Sequence, residues 1–583
     1  MPNARLIPTN GSPSTVTFLL KVAGNEVPRT YEVLTMVISH EANRVPTAQV
    51  VLLDGDPSQE DFIASSDDLF APGQEIELLI GYESQEGPRF KGVIVAQRLR
   101  VRKDGSSQLH LTCKDPAFAM TLGRKSRYFT DTTDSDAMEV ILGEYDLEAA
   151  VAATEVTHAA LVQYDLTDWD FLVSRAEANG RIVVVAGGVV SIEAPDFTQD
   201  PILPLQYGAT IMDLDVEMDA RHQWATTIGH SWDPANQARL DVEGADAGFD
   251  AGGEPSAADL AQVGGLAAYD LRHGGQRPED ELKAWADASL LKARLAKLRG
   301  RVRFRGFPDM KPGHLLTLSG IGSRFSGTAF VSGVRHDVSQ GSWVTDAQLG
   351  MEPTWLMADA SASAPSAAGL LGAVRGLQIG LVSQLKDDPA GEQRILVKLP
   401  LIDADAEGTW ARRAALDAGK ERGSFFLPEI GDEVIVGFLN DDPRDAVVLG
   451  MLHSSDKPAP LEASDDNHQK GFVSREGLKL LFDDEKKSLT LETPAGKIVT
   501  LDEDAGVLQL EDEHGNKLLM NSDGITIESA KELTLVAGTD LKIESGVNVE
   551  FAAGASFKAD GAAGAEITSS AVVKIEGSLV TIN

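Results

Sequence analysis

Asp168 and Asp170 flank Trp169, and a carboxylate pair at that spacing has the residue types for general acid and base work. The same residues open a stretch of helical periodicity. Trp169, Leu172, Val173 and Ala176 fall on one face. Thr167 with Asp170 makes a capping box, and Asn179–Gly180 is a stop signal. Carboxylates in a first helical turn bond free N–H groups and suit the helix dipole, so the pair reads as structural. Asp54 and Asp56, in LLDGDP, could hold a cation, but the run is a common turn sequence.

The eleven histidines form no close pair suited to zinc, and the single cysteine, Cys113, cannot complete a thiolate site. The last histidine, His514, precedes the regular C-terminal repeat. The chain has no GxSxG elbow, no phosphate-binding P-loop and no GGxGxD calcium repeat; AGTD at 537–540 is an isolated partial match. The expectation is a protein with no metal, no cofactor and no catalytic residues, one that is not an enzyme.

The elements around these residues suggest why. A chain of 583 residues holds about three or four domains. The net charge of −37 repels nucleic acid and anionic lipid. One cysteine permits no internal disulfide. The opening MPNARLIPTNGSPST has no apolar core of a secretory signal, and no apolar run of about 18 residues could span a bilayer. These features predict synthesis in the cytoplasm without a signal peptide.

Residues 15–115 read mostly as strands, 136–148 and 168–178 as helices, 241–279 as a long and partly mobile loop, 280–297 as a helix and 301–352 as strands again. Residues 358–372 form a Ser/Ala linker, 373–457 a compact β domain, 458–476 a polar joint and 477–583 a repeat region. Within 1–357 there is an internal echo. FAPGQEIELLIG with RFKGVIVAQRLRV (70–101) resembles MKPGHLLTLSGIG with RFSGTAFVSGVRHDV (310–338), aligning Pro72–Gly73 with Pro312–Gly313. Two similar β domains near 15–115 and 300–352, separated by a helical and loop insertion, account for it. Three copies of such a chain present six similar surfaces, which would seat a threefold object on a sixfold ring.

The last sixty or so residues carry the clearest pattern. Every eighth residue from Ile525 is Ile525, Leu533, Leu541, Val549, Phe557, Ala565 and Val573, and a second apolar set follows two positions on. Small residues, among them Gly538, Gly546 and Gly554, recur five positions after the first set. Side chains alternate along a strand, so each octad puts two apolar groups on one face and then turns at a small residue. Seven octads wound three to a coil would give barely over two coils, too few for a stable solenoid. Three chains wound about one axis solve this, each lending its open strand edges to the others. The blunt end would present Leu579, Val580, Ile582 and Asn583 of each chain.

VQYDLTDWDFLVSRAEANG (162–180) resembles a signature of VgrG spike proteins and of contractile phage-tail hubs. The segment 408–454 is similar to the oligonucleotide/oligosaccharide-binding-type (OB) barrel of that family, and 298–336 to its second hub barrel. The resemblance implies a mainly β protein: a hub of two β-barrel-like domains with α/β insertions, an OB-fold barrel and a C-terminal triple-stranded intertwined β-helix. It implies a homotrimer whose hub caps a hexameric inner tube and meets baseplate proteins. Its needle carries a PAAR-repeat-like tip protein, and the whole is driven through a target envelope with effector cargo and transient membrane contact. The short joint at 458–476 leaves no room for a lysozyme domain, and no effector domain is expected after the solenoid. The setting stays open between an extracellular injection particle, type VI secretion and a contractile phage baseplate. A polysaccharide-degrading β-solenoid is the enzymatic alternative; it needs acids and aromatics lining a groove, and the octads have few aromatics. Arg412, Arg413, Lys420 and Arg422 stand among many acids, so the OB segment is not expected to bind nucleic acid. Phe425, Phe426, Leu427, Val434, Val436 and Phe438 are expected to form its core.

Overall fold

The structure, a computed structural model, describes residues 15–103, 105–358 and 365–582. They divide into two compact units, one running to Leu377 and including Gly437–Val447, the other made of Gln378–Val436 and the residues from Val448 onward. Strands dominate both.

In the first unit the two stretches read as separate β domains share one thirteen-stranded sheet. The join is antiparallel pairing of Val33–Glu41 with Gly327–Ser339, from Gly333 opposite Glu41 to Ser339 opposite Thr35. Each half keeps its own core. One gathers Met36, Ile38, Val50, Leu52, Phe70, Ile76, Leu78, Ile94 and Leu111; the other gathers Val302, Phe304, Leu315, Leu316, Phe330, Val331 and Leu349. Trp343, from the second half, enters the first core and stacks on Tyr82 with ring centres 5.2 Å apart. That contact requires Gly306, where a Cβ would lie 2.2 Å from the indole.

The insertion has its own core, in which helices Asp134–Gly143 and Asp168–Ala178 pack with strands Ile182–Ala186 and Val189–Glu193. The second helix has the bounds read from its periodicity, and the Thr167 hydroxyl accepts from the Asp170 amide at 3.0 Å. The first starts and stops earlier than the 136–148 expected. Its start is fixed by Thr133, whose hydroxyl accepts from the Asp136 amide.

The stretch 241–279 is more ordered than its composition suggests. It contains the helix Ala257–Gly264, with a complete Ser256/Asp259 capping box, and the strand Ala268–Arg272. The helix Glu279–Leu295 holds the stretch in place: Arg294 pairs with Asp246 at 2.7 Å, and the fully buried Lys297 just beyond the helix pairs with Asp250. Buried cations need partners, so these two pairs anchor the stretch together with Phe249 and Ala251, which enter the second core.

The strands Gln378–Gln384, Ile395–Lys398, Thr409–Arg413, Ala446–Met451 and Glu433–Phe438 close into a barrel in that order. Val382, Ile395, Val397, Ala411, Val434, Val436 and Val448 fill it. Phe425 and Phe426, expected in this core, are exposed. They lie in an irregular segment before Pro428 rather than on a strand, and Phe426 stacks on Phe472 at 5.3 Å.

Candidate functional site

The acidic residues singled out in the sequence all serve the backbone or ion pairs. Asp168 is buried and receives Lys125 at 2.6 Å, Arg127 at 2.8 Å and Gln163 Nε2 at 2.8 Å. Burial pushes its carboxyl up, but bonds from Lys125, Tyr145 and Gln163 and the Arg127 charge outweigh that and hold it below the usual carboxylate range. The Asp170 carboxylate accepts from the hydroxyl of Thr167, the residue that caps the helix, at 2.7 Å, so only the Thr167 half of the expected capping box forms. Asp54 accepts from the amides of Gly55, Ala64 and Ser65, each at 2.9 Å, and Asp56 from the amide and hydroxyl of Ser58. Among the described residues no group of three His, Cys, Asp or Glu side chains could hold a metal ion.

The sequence reading missed a cluster at Asp134. Its carboxylate takes bonds from Arg175, Asn179 Nδ2 (2.8 Å) and His158 Nε2 (3.1 Å). Burial again opposes ionisation, and the His158 and Arg175 bonds overcome it, leaving the group ionised far into acid. A carboxylate so fully engaged is a poor proton acceptor at neutral pH. It ties the start of one helix to the end of the next. A cavity of about 280 Å³ beside it is lined by Arg175, His273, Arg277, Glu281 and Trp285.

An uncovered apolar surface lies elsewhere, on the seven-stranded antiparallel sheet between Gln469 and Glu528. Its strands are five residues long and joined by tight turns, with Gly477, Gly496, Gly506, Gly515 and Gly524 all at positive φ. This explains the looser spacing before Ile525: nine or ten residues are a five-residue strand plus a reversing hairpin. The register lines up two apolar columns on one face. One is Leu480, Leu491, Val499, Leu510, Leu518 and Ile527; the other is Phe482, Leu489, Leu501, Leu508, Met520 and Ile525. Many of these side chains remain about 40% exposed or more, Leu491 at 46% and Leu501 at 43%. A groove of about 760 Å³ runs along the first column.

Ile525 and Ile527 end these columns and begin the octads. From 529 to 582 no residue lies in a strand, and every residue from 522 to 582 is exposed. Leu533, Leu541, Val549 and Phe557 are uncovered, as are Leu579, Val580 and Ile582; Asn583 lies outside the described residues. Gly538, Gly546 and Gly554 do not take left-handed backbone, and a Cβ on any of them would meet nothing within 4 Å of its own chain. Among the described residues the single chain gives this repeat no strand pairing and no buried side chain.

Comparison with known proteins matches residues 12–340, more than half of the chain, to the Alg8 N-terminal domain family. Residues 378–453 match the type VI secretion system/phage-baseplate injector OB domain. A type VI secretion system spike protein of Pseudomonas aeruginosa, VgrG1b, is 30% identical over 213 residues, 34% of this chain and 28% of that protein. A second spike protein of that bacterium, VgrG1a, is 31% identical over 109 residues, 18% of this chain and 17% of its own. The chain thus spans less than a third of the length of these curated relatives. Among solved structures, the tail protein from Neisseria meningitidis MC58 aligns over 59% of this chain and 98% of its own, at 15% identity and a TM-score of 0.44.

Proposed function

The chain belongs to the Alg8 N-terminal domain family, and we propose that it is the spike and hub of a contractile, phage-tail-like injection system. In this reading three copies assemble, with residues 1–357 as hub, 358–372 as linker, 373–457 as OB collar, 458–476 as joint and 477–583 as an intertwined β-helical needle. The activity is mechanical: force passes from a sixfold inner tube through a threefold spike into a target envelope, and no bond is made or broken.

One observation carries the reading. Two columns of apolar side chains run without cover from the sheet at Lys479–Glu528 into the octads, and the octads have no partner strands in their own chain. An exposed apolar surface of this extent marks an interface. Burying each large side chain gains roughly 1.5–3 kcal/mol, enough in sum to offset the ordering of a segment that does not order itself. Gly538, Gly546 and Gly554 would then be the close approaches between chains, and the needle repeat Ile525, Leu533, Leu541, Val549 and Phe557 its core.

Leu579, Val580 and Ile582, with Asn583, would form a blunt apolar end that docks a PAAR-repeat-like tip protein. The hub would meet the hexameric tube and baseplate proteins, with effectors as cargo. The particle would be fired or released from the cell that makes it. Similarity to type VI spikes and the injector OB match support this reading. A contractile phage baseplate is the alternative, which these relatives do not favour; neighbouring capsid and terminase genes would select it. Mass measurement of the full chain at micromolar concentration tests the proposal: a trimer is expected, and a clean monomer would overturn it.

A further inference from the structure

The apolar beat of the octads has one weakness as a specification: sliding one chain by eight residues leaves it unchanged. A second pattern, of twice the period, breaks that degeneracy. The residue between the two apolar positions of successive octads is Lys542, Glu550, Lys558, Glu566 and Lys574, strictly alternating in sign. Lying between two inward positions of a strand, each points outward. Within these five octads the position two further on carries Glu544, Asp560 and Glu576 in the lysine octads and the uncharged Ala552 and Thr568 in the glutamate octads. In the single chain Lys558 already reaches Asp560 at 3.5 Å and Lys574 reaches Glu576 at 2.5 Å, all four side chains being exposed.

We infer that these residues form charge ladders between chains that set the register of a three-chain needle, which rests on the trimeric spike reading above. The geometry follows from the octad itself. Each octad gives one strand and one turn onto the next wall. With three copies related by a threefold axis, the strand stacked on octad n of one chain is octad n + 1 of another, about 4.8 Å away. Each wall then reads Lys, Glu, Lys, Glu, Lys along its outer surface, every step crossing between chains. Every lysine has a carboxylate above or below it and another on its own strand. No two carboxylates of the Glu544 column are adjacent, because Ala552 and Thr568 separate them. If one chain slips by a single octad, each of its lysines faces lysines and each glutamate faces glutamates. Like charges directly opposite on neighbouring strands are destabilising, so the correct register alone satisfies both patterns.

The test follows the dissociation temperature of the full-length trimer by light scattering at low salt. Glu550→Lys makes three lysines adjacent without altering an apolar residue or a same-strand pair. It is expected to lower the dissociation temperature by at least about 5 °C. Glu550→Gln should fall between it and the unaltered protein, and about 1 M salt should close most of the gap. Inverting all eight charges, lysine for every acid at 544, 550, 560, 566 and 576 and glutamate for lysine at 542, 558 and 574, should restore the original value. If Glu550→Lys melts with the unaltered trimer, or the full inversion melts as low as Glu550→Lys, the ladders are refuted while the trimer stands. If the unaltered chain is a monomer, the spike reading itself fails.

Discussion

The amide of Gly313 donates to the carbonyl of Val331 across 2.8 Å, and the Val331 amide returns a bond to His314 at 2.9 Å. Gly73 and Ile94 make the same exchange at the same distances, with Gln74 in place of His314. Both glycines sit at positive φ, near +94° and +102°. The echo seen in the sequence is therefore repeated as hydrogen-bond geometry, once in each half of the thirteen-stranded sheet. Alanine at either glycine meets no close contact, so only backbone strain is charged: about 1–2 kcal/mol each, read by denaturant unfolding. Gly306→Ala should cost more, about 1–3 kcal/mol or above, because its Cβ lands on Trp343. Equal losses at all three positions would refute this distinction.

The pairing of Val33–Glu41 with Gly327–Ser339 that joins the two halves should be acid-sensitive. His336 is wholly buried, within 3.0 Å of the Thr345 hydroxyl, and accepts from Trp343 Nε1 at 3.3 Å. Burial, reinforced by His40 and Arg89, pushes its pKa down to about 3. Unfolded histidine protonates near 6.5. Between those values the unfolded chain binds a proton that the folded chain refuses, so stability present above about pH 6.5 drains away as pH falls towards 3. His336→Gln should flatten the dependence of hub melting temperature on pH between about 7 and 4. His40, whose burial also lowers its pKa, would leave a residual slope. An unchanged slope would exonerate His336.

Glu177 joins two helices and a turn. One carboxylate oxygen accepts from Lys292 Nζ at 2.7 Å and the other from the Leu356 amide at 2.9 Å, with both charged residues buried. Glu177→Ala strands a buried ammonium and should destabilise the hub by about 3–5 kcal/mol. Pairing Glu177→Leu with Lys292→Met should recover much of that loss, since a buried ion pair exchanged for apolar groups is often neutral. Unfolding of both variants checks it; a double variant as unstable as Glu177→Ala would mean that the Leu356 bond dominates.

What was legible in the sequence depended on where the ordering forces lie. The helix Asp168–Ala178 carries its own periodicity and cap, so its bounds were readable. The order of 241–279 comes from contacts distant in sequence, the Arg294 and Lys297 ion pairs some fifty residues away and the burial of Phe249 and Ala251 in the second core, and no local pattern announces them. Phe425 and Phe426 look like core by composition, yet Pro428 and the lack of alternation take them off any strand. The octads are the converse case. Their period is plain in the sequence and absent from the hydrogen bonds of one chain, as expected when the partner strands belong to other copies.

Phe551 gives the sharpest contrast between one chain and three. In the single chain it is 66% exposed and touches Phe557 at a ring distance of 5.9 Å. A surface substitution in a monomer changes stability by about 0.5 kcal/mol or less. At the axis of a three-chain needle, Phe551→Asp would instead bury three unpaired carboxylates against one another, which costs several kcal/mol or more. The expected outcome is a hub that melts as before and a trimer that dissociates at far lower temperature, followed by mass measurement on heating. Thr534→Asp is the control, since Thr534 points outward between the apolar Leu533 and Leu535 and should leave the trimer nearly unchanged. Gly546→Pro removes a backbone donor needed by a neighbouring strand and should fail as Phe551→Asp does. If all three proteins stay trimeric to the same temperature, the octads are not the assembly surface, and the apolar columns between Lys479 and Glu528 would have to hold the trimer without them.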